Sequence, residues 1–246
     1  MATDLDLSGH AALVTGAGRR LGRAFAEGIA ARGGAVAVHY GRSRAEADQT
    51  VRAIQAGGGK AFAVQADLAH SEQVGALIPA AVEALGDIDL LVNNAALFEA
   101  VELAEVTPEV WDHHFQVNLT APLLLCQAFA RHRAGRPGAI VNILDWRALR
   151  PGADHLPYTI SKAGLEALTR SLALGLAPAI RVNGLALGAI LPPADGAVGN
   201  PIARVPLGRW GKVEEAVDSL IFLLAGPDYI TGEVLVLDGG RLLAQG

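Results

Sequence analysis

The chain has 246 residues, of which 51% are hydrophobic and only 5% aromatic, and its formal net charge is -5. This composition excludes a disordered chain and favours a single domain, residues 1–246, with an aliphatic core. The negative charge argues against nucleic acid or an anionic membrane as a partner, and no apolar run reaches the ~18 residues of a membrane span. The lone Cys126 and the acidic N-terminus without an apolar signal core favour a cytoplasmic location.

Short β-branched runs alternate with longer amphipathic runs along the whole chain. The runs typical of strands are 11–15, 35–40, 61–65, 90–93, 139–143, 181–185 and 233–237. The runs with helical spacing are 21–31, 44–56, 71–85, 108–133, 158–176 and 213–224. This alternation predicts an α/β fold of the Rossmann type, a doubly wound sheet of about seven parallel strands with helices on both faces. Pro79 and Pro122 fall inside predicted helices, where each should kink or interrupt the backbone.

The first predicted strand runs directly into a glycine-rich turn, Thr15-Gly-Ala-Gly-Arg-Arg-Leu-Gly22, which opens the first predicted helix. Glycines in such a turn let the backbone approach a pyrophosphate, and the helix N-terminus offers unpaired N–H groups and the positive end of a dipole. The sequence therefore predicts a dinucleotide site here, with a cofactor-binding set of Gly16, Arg19, Arg20 and Leu21.

The end of the second predicted strand indicates which dinucleotide is bound. NAD-dependent enzymes place an acidic residue about 20 residues after the glycines to hold the ribose 2'-hydroxyl. Here the sequence is His39-Tyr40-Gly41-Arg42-Ser43, which contains no acid and offers cations and a hydroxyl for a 2'-phosphate. We therefore predict NADP(H) as the cofactor, with contacts from His39, Tyr40, Arg42 and Ser43.

Tyr158 and Lys162 are four residues apart on a predicted helix and so share one face. An ammonium beside a phenol stabilises phenolate and lowers the phenol's pKa, which suits proton exchange near neutral pH. Asp145 follows a predicted strand and should emerge at the carboxyl edge of the sheet, where open α/β sheets bind ligands. As an anion beside Tyr158, it would raise the phenol's pKa and oppose Lys162.

The order and spacing of several short motifs resemble the short-chain dehydrogenase/reductases over essentially the full length. The motifs are Thr15 to Gly22, Asp67-Leu68, Asn93-Asn94-Ala95, Asn118, Tyr158-x-x-x-Lys162 and Asp238-Gly239-Gly240. The resemblance implies that Lys162 holds the nicotinamide ribose and that Asn118 supports a water-linked proton path to it. It also implies a homotetramer or dimer, of which we expect the homotetramer, and further cofactor contacts from Asp67, Leu68, Asn94, Ala95, Ala96, Gly188 and Ile190.

Two of three departures from the usual pattern, those at Arg20 and Asp145, resemble one branch of this family, the pteridine reductases and the dihydromonapterin or dihydrofolate reductases of the same fold. The same resemblance is carried by His39-Tyr40-x-Arg42-Ser43, Asn93-Asn94-Ala95-x-x-Phe98 and Arg204-Val-Pro-Leu207. Arg20 replaces the third glycine of the turn, Asp145 replaces the usual serine, and Leu187-Gly188 replaces a Pro-Gly pair. This resemblance implies an Asp145, Tyr158, Lys162 triad, Phe98 stacked on a pterin, and Arg20 near phosphates and substrate. Ala96 stands where that branch commonly has a serine.

We therefore predict an NADPH-dependent reductase of a pteridine or folate, with hydride transfer to a C=N bond and Tyr158 as proton donor. Two alternatives remain: a reductase of another carbonyl compound, such as a 3-oxoacyl thioester, sugar or quinone, and a non-catalytic NADPH-binding sensor or scaffold. Residues 188–205 are rich in Gly, Pro and Ala and predict a substrate loop. No spacing of histidines with carboxylates indicates a metal site. Asp154 and His155 are predicted at the substrate mouth.

Overall fold

The computed structural model of the chain describes residues 5–192 and 201–244. Its strands are β1 (Ala11–Val14), β2 (Ala35–Tyr40), β3 (Ala61–Gln65), β4 (Leu90–Asn93), β5 (Gly138–Asp145), β6 (Ile180–Leu187) and β7 (Val234–Leu237). Its α-helices are α1 (Arg20–Ala31), α2 (Arg44–Ala56), α3 (Ser71–Leu85), α4 (Pro108–Phe115), α5 (Ala121–Arg133), α6 (Leu156–Leu176) and α7 (Val213–Ala225).

The seven strands form one parallel sheet in the order β3-β2-β1-β4-β5-β6-β7. The chain builds outward from β1 to β3, then crosses back to place β4 on the other side of β1. This reversal of strand order is where doubly wound sheets bind ligands, at the carboxyl ends of the strands. The predicted Rossmann-type fold is confirmed.

Successive strand residues point to opposite faces of the sheet, and each face carries its own core. Val14 and Val38 pack with α1, α2 and α7 on one face, whereas Leu13 and Ala37 pack with α3 and α5 on the other. All four side chains are fully buried, as expected for parallel strands covered by helices on both sides. The aliphatic composition of the chain supplies this double core.

Two of the central strands are longer than predicted, which matters for the site. Strand β5 extends to Asp145 and β6 to Leu187, and these two residues are register partners. Asp145 is therefore the last residue of its strand rather than a loop residue that follows it. Its carboxyl is held by the sheet at the carboxyl edge.

The two prolines inside predicted helices behave differently. The predicted helix 71–85 forms as α3 and continues through Pro79 without interruption, burying Val74, Ile78 and Ala81 against the sheet. Only one backbone donor is lost there, and the packed face holds the helix. The predicted helix 108–133 is interrupted, since a π-helical turn at Gln116–Thr120 separates α4 from α5 just before Pro122.

Among the residues that the structure describes, none of the helices combines the length and the apolarity needed to cross a membrane. The same residues contain no cluster of three or more His, Cys, Asp or Glu side chains suited to a metal ion. The predicted substrate loop 188–205 lies partly outside the described residues. Of its described part, Pro201–Arg204 forms a short 3-10 helix.

Candidate active site

The glycine-rich turn between β1 and α1 has the geometry of a phosphate cradle. Gly16 has a φ of +64°, and a Cβ on Gly22 would lie 2.1 Å from the Gly16 carbonyl oxygen, so both positions require glycine. Within the described residues, the backbone N–H groups from Gly18 to Leu21 have no acceptor. Unpaired N–H groups at a helix N-terminus are suited to binding an anionic group.

Arg20 occupies this turn in the left-handed region, with a φ of +53°. Glycine adopts this conformation without strain, which explains why a glycine is usual at this position. The Arg20 side chain is exposed, and its Nη2 donates to the Pro192 carbonyl oxygen across 2.6 Å. Arg20 therefore joins the phosphate turn to the segment that follows β6.

His39 does not provide the phosphate-binding cation that the sequence suggested. Its ring is buried, Gly16 N donates to its Nδ1 across 3.0 Å, and its Nε2 lies 3.1 Å from the Ala66 carbonyl oxygen. Burial lowers the pKa of His39 to about 4, so the ring is neutral at physiological pH. His39 instead fixes the conformation of the turn at Gly16.

The remaining predicted 2'-phosphate contacts lie beside the turn. A Cβ on Gly18 would lie 3.4 Å from the Ser43 carbonyl oxygen, which places the start of α2 against the turn. Arg42 is exposed at this position, whereas Arg44 lies 3.8 Å from Asp48 on its own helix. Tyr40 is buried in the core instead of facing this surface.

Asn94 joins the carboxyl ends of β1 and β4. Its Nδ2 donates to the Thr15 carbonyl oxygen across 2.8 Å, and the Thr15 hydroxyl accepts from the backbone N–H groups of Asn94 and Ala95. The neighbouring Ala96 is exposed at the same edge. These bonds hold the predicted cofactor-lining segment that follows β4 against the phosphate turn.

The other predicted cofactor contacts are arranged along the carboxyl edge of the sheet. Asp67 Oδ1 accepts from Ala69 N across 3.0 Å and so shapes the turn before α3, next to the buried Leu68. A Cβ on Gly188 would lie 2.6 Å from the Cα of Asp238, so the end of β6 approaches β7 too closely for any side chain. The Ile190 side chain is packed in the core.

Tyr158 and Asp145 form the central contact of the site. The Tyr158 hydroxyl donates to Asp145 Oδ2 across 3.1 Å, which joins the first turns of α6 to the end of β5. Lys162 is 2% exposed, its Nζ donates to the Ile143 carbonyl oxygen across 2.7 Å, and it lies 5.9 Å from the centroid of the Tyr158 ring. The structure thus brings the predicted triad together in a buried site.

The electrostatics of this triad differ from the expectation that Lys162 lowers the pKa of Tyr158. Burial and the neighbouring Asp145 raise the pKa of Tyr158 well above its ordinary value, and only Arg147 opposes this effect. Burial also lowers the pKa of Lys162 to about 8. The direction of the Tyr158 pKa shift is thus the one expected from Asp145, and the catalytic roles of Lys162 and Asp145 stay predictions.

Asn118 lies buried in the π-helical turn between α4 and α5. Its Oδ1 accepts from Leu97 N across 2.8 Å, and its Nδ2 donates to the Leu97 carbonyl oxygen and to Ser161 Oγ, each across 3.0 Å. Ser161 in turn donates to the Tyr158 carbonyl oxygen. Because Pro122 has no N–H, the Asn118 carbonyl lacks its usual α-helical donor. The water-linked path to Lys162 stays a prediction.

Phe98 contacts Tyr158 directly. Its ring meets the Tyr158 ring edge to face, with centroids 4.7 Å apart, and 49% of the Phe98 surface is exposed. The His155 ring stacks on Phe98 with centroids 4.3 Å apart. His155 and its partner Asp154 therefore lie at the mouth of the site, as the sequence predicted. One face of Phe98 is covered by His155 and not available to a ligand.

Sequence reasoning missed Arg147 and Ser161. Arg147 is largely buried between Phe98 and Trp146, with its guanidinium 5.8 Å and 5.0 Å from the two ring centroids. Its position two residues after Asp145 was the signal that could have indicated it. Ser161 lies between the two members of the Tyr-x-x-x-Lys motif, and only the fold shows that Asn118 reaches it.

The comparisons with known proteins agree with this geometry. A family model described as enoyl-(acyl carrier protein) reductase, of the short-chain dehydrogenase/reductase type, matches residues 16–241. The crystal structure of FolM alternative dihydrofolate reductase 1 from Brucella canis, complexed with NADP, is 35% identical with a TM-score of 0.92. The match covers 98% of this chain and 97% of that one.

Relatives with other substrates are similar to the same degree. The 3-oxoacyl-[acyl-carrier-protein] reductase of Synechocystis is 35% identical, over 96% of this chain and 98% of that protein. The L-xylulose reductase of Bos taurus is 37% identical, over 97% of this chain and 99% of that protein. Overall similarity therefore leaves the substrate open, and the side chains of the site must distinguish between the candidates.

Proposed function

The chain belongs to the short-chain dehydrogenase/reductase family, and we propose that it is an NADPH-dependent reductase of a pteridine or folate. Within that family it is an NADP(H) oxidoreductase, as are the structural neighbours that contain NADP or NADPH. The finer proposal concerns the substrate. It is carried by one observation, the hydrogen bond between the Tyr158 hydroxyl and the Asp145 carboxylate.

The turn at Gly16 and the start of α2 are suited to NADPH. The free N–H groups from Gly18 to Leu21 would hold the pyrophosphate, and the exposed Arg42 with Ser43 would hold the 2'-phosphate. Residues 39–43, at the end of β2, include no carboxylate that would repel that phosphate. Lys162 and the segment Asn94 to Ala96 would support the nicotinamide end. NADPH supplies the hydride when it is bound.

Asp145 favours a pteridine over a simple ketone as the substrate. A ketone oxygen needs hydrogen-bond donors, and a neutral serine beside the tyrosine would supply a second one. A carboxylate accepts hydrogen bonds, and a pteridine presents amino and imino N–H groups that need acceptors. Asp145 accepts from Tyr158 with Oδ2 and is 18% exposed, so its carboxylate is accessible at the site.

Phe98 supports a flat substrate. Its ring packs edge to face on Tyr158 and is half exposed. A pteridine ring that stacks on an aromatic side chain gains favourable dispersion and electrostatic energy. His155 restricts the orientation of Phe98 by stacking on it. The similarity to the FolM structures from Brucella, at 35% and 36% identity, supports a pteridine or folate substrate by analogy.

In the proposed reaction, the protein orients the two reactants and delivers a proton. Tyr158 is protonated at neutral pH because burial and Asp145 raise its pKa, so it can act as a general acid toward the substrate nitrogen. Asp145 orients the Tyr158 hydroxyl and accepts a substrate N–H. Lys162 and Asn118 support the other side of Tyr158, and both are buried away from bulk water.

The test is a substrate screen that follows NADPH and NADH consumption. We expect turnover with NADPH and 7,8-dihydropterins or dihydrofolate, and slow turnover with an acetoacetyl thioester or L-xylulose. The opposite preference would support the alternative, a reductase of another carbonyl compound, which the 3-oxoacyl and xylulose reductase relatives favour. NADPH binding without turnover of any substrate would support a sensor or scaffold. Turnover with NADH only would contradict the assignment of Arg42 and Ser43.

Two further proposals follow from the family resemblance and the composition. We infer a homotetramer, which light scattering of the purified protein tests, and a cytoplasmic location, which cell fractionation tests. A monomer in solution at the concentrations used for the assay would contradict the first of these.

A further inference from the structure

Arg147 connects the catalytic carboxylate to the rest of the substrate mouth. Its backbone N–H donates to Asp145 Oδ1 across 2.8 Å, and its Nη1 lies 3.8 Å from the same oxygen. The other carboxylate oxygen, Oδ2, accepts from the Tyr158 hydroxyl. The two oxygens of Asp145 are therefore divided between Arg147 on one side and the proton donor on the other.

The guanidinium of Arg147 also contacts the mouth of the site. Its Nη2 donates to Asp154 Oδ2 across 2.8 Å, and His155 Nδ1 lies 3.1 Å from that oxygen. The His155 ring stacks on Phe98, and the Phe98 edge packs on Tyr158. These contacts close a circuit of six side chains that begins and ends at Tyr158: Asp145, Arg147, Asp154, His155, Phe98 and Tyr158.

Burial of the Arg147 guanidinium is unfavourable unless its charge is paired. The Arg147 side chain is only 15% exposed, and its Nε has no hydrogen-bond partner among the described residues. A guanidinium that is largely removed from water needs opposite charge close by, and the two carboxylates provide it. Trp146 and Phe98 flank the group, with ring centroids 5.0 Å and 5.8 Å from the guanidinium. These contacts and the two carboxylates favour this position of Arg147.

We propose that Arg147 is a positioning residue of the reduction, which directs the Asp145 carboxylate at Tyr158 and couples it through Asp154 and His155 to the Phe98 ring. The inference rests on the proposed function, because it concerns the same proton donor. It adds that one buried cation, Arg147, positions both the Phe98 ring, on which the substrate would stack, and Tyr158, the proton donor. An ion pair between exposed side chains contributes little energy and would not hold these two groups in position.

The charges around Tyr158 fix the direction of the expected effect. Asp145 raises the pKa of Tyr158, and Arg147 opposes that increase. On the other side of the ring lies Lys162, and Asp154, His155 and Arg241 lie around Arg147. Without Arg147, the phenol should hold its proton more tightly and become a weaker acid toward the substrate.

The experiment compares Arg147→Gln with the wild type and with Arg147→Lys, which keeps the charge but not the planar fork. For Arg147→Gln we expect kcat to fall about tenfold, because the proton donor is a weaker and less well oriented acid, while the Kd for NADPH changes by less than about twofold. For Arg147→Lys we expect partial recovery of kcat. The control is Arg170→Gln, which removes an exposed ion pair with Glu166 on α6 and should change nothing.

Two further measurements keep the inference testable if Arg147→Gln folds poorly or the natural substrate differs. Asp154→Asn removes only the outer link of the circuit, where Asp154 is 56% exposed, and should raise KM for the substrate with a smaller loss of kcat. An ultraviolet titration of the phenol, with the Tyr158→Phe spectrum subtracted, needs no substrate. We expect ionisation of Tyr158 to begin at higher pH in Arg147→Gln than in the wild type.

The outcomes separate this inference from the proposed function. A wild type that reduces other carbonyl compounds but no pteridine would overturn the substrate proposal, and the Arg147 comparison would then use the compound that it does reduce. Wild-type kcat, pH profile and Tyr158 titration in Arg147→Gln would overturn the positioning role, whatever the substrate. A loss confined to NADPH affinity would also overturn it, since it would place Arg147 in cofactor binding.

Discussion

The Tyr158 hydroxyl donates its hydrogen bond to the Asp145 carboxylate, across 3.1 Å, and not to a neutral partner. The anion keeps the phenol protonated, whereas Lys162, the cation four residues further along α6, donates to the Ile143 carbonyl oxygen instead. Tyr158 is therefore protonated at neutral pH and can act as a general acid toward the substrate. This organisation suits reduction, in which a nitrogen receives a proton as the neighbouring carbon receives hydride.

Asp145→Ser should retain NADPH binding and lose pteridine turnover. The serine hydroxyl replaces a charged acceptor with a neutral donor and acceptor, so the substrate N–H loses its partner. Hydrogen bonds to charged groups are worth ~1.5–3 kcal/mol, and we expect kcat/KM to fall about tenfold to a hundredfold. The control is Asp218→Asn, which removes a surface pair with Arg32. Unchanged pteridine kinetics in Asp145→Ser would remove the role assigned to Asp145.

The pH dependence should differ between the two directions of the reaction. Because the pKa of Tyr158 is raised well above its ordinary value of 10.0, its proton is present throughout the neutral range, and reduction should not decline until pH rises through the Lys162 pKa of about 8. Oxidation needs the phenolate and should increase across the alkaline range. Steady-state rates in both directions check this, and an oxidation rate that is already constant near neutral pH would contradict it.

His39→Gln should remove a pH dependence of stability. His39 has a pKa of about 4 in the folded chain and an ordinary value of 6.5. The unfolded state therefore binds the proton first, so stability is complete above about 6.5 and falls as pH decreases toward 4. Each pKa unit is worth about 1.4 kcal/mol, which limits the loss to about 3 kcal/mol. Glutamine offers an acceptor and a donor without titrating.

Urea unfolding of the wild type and of His39→Gln, at pH values between about 4 and 6.5, measures this loss of stability. We expect the wild-type free energy of unfolding to decrease more steeply with acid than that of His39→Gln. Parallel curves for the two proteins would show that His39 is not the group responsible.

Arg42→Ala should weaken NADPH selectively. Arg42 is exposed beside the phosphate turn, and loss of a charge-assisted bond to the 2'-phosphate should raise KM for NADPH about tenfold, which is ~1.4 kcal/mol, without affecting NADH. Arg44→Ala is the matched control, because Arg44 lies near Asp48 on the same helix. If Arg44→Ala raised the KM for NADPH as much as Arg42→Ala, both arginines would act through general electrostatic attraction to the cofactor. Arg42 would then have no specific contact with the 2'-phosphate.

Gly22→Ala should be strongly destabilising. A Cβ at this position would lie 2.1 Å from the Gly16 carbonyl oxygen, so the phosphate turn must move, at a cost of about 1–3 kcal/mol. Gly75→Ala is the control, because a Cβ there meets nothing within 4 Å, and alanine should stabilise α3 by about 0.5–1 kcal/mol. Thermal unfolding distinguishes the two variants, and similar melting temperatures would contradict the close approach.

The sequence by itself determined the alternation of strands and helices, the parallel sheet and the position of the phosphate turn. These features depend on local chemistry: hydrophobic period, glycine at a tight turn, and the Tyr158 to Lys162 spacing on one helix. The sequence also predicted Asp145 at the carboxyl edge of the sheet, and the resemblance to the pteridine reductases implied that it joins Tyr158. It also predicted helix 71–85, which continues through Pro79 because its buried face offsets one lost backbone bond.

The tertiary structure decided which partners each of these residues has. His39 looked like a phosphate ligand, but its burial between the Gly16 N–H and the Ala66 carbonyl makes it a neutral structural group. Lys162 looked like the group that controls Tyr158, but its ammonium points at a backbone carbonyl. The pKa of a side chain depends on burial and on neighbours from distant parts of the chain, and sequence spacing does not specify either.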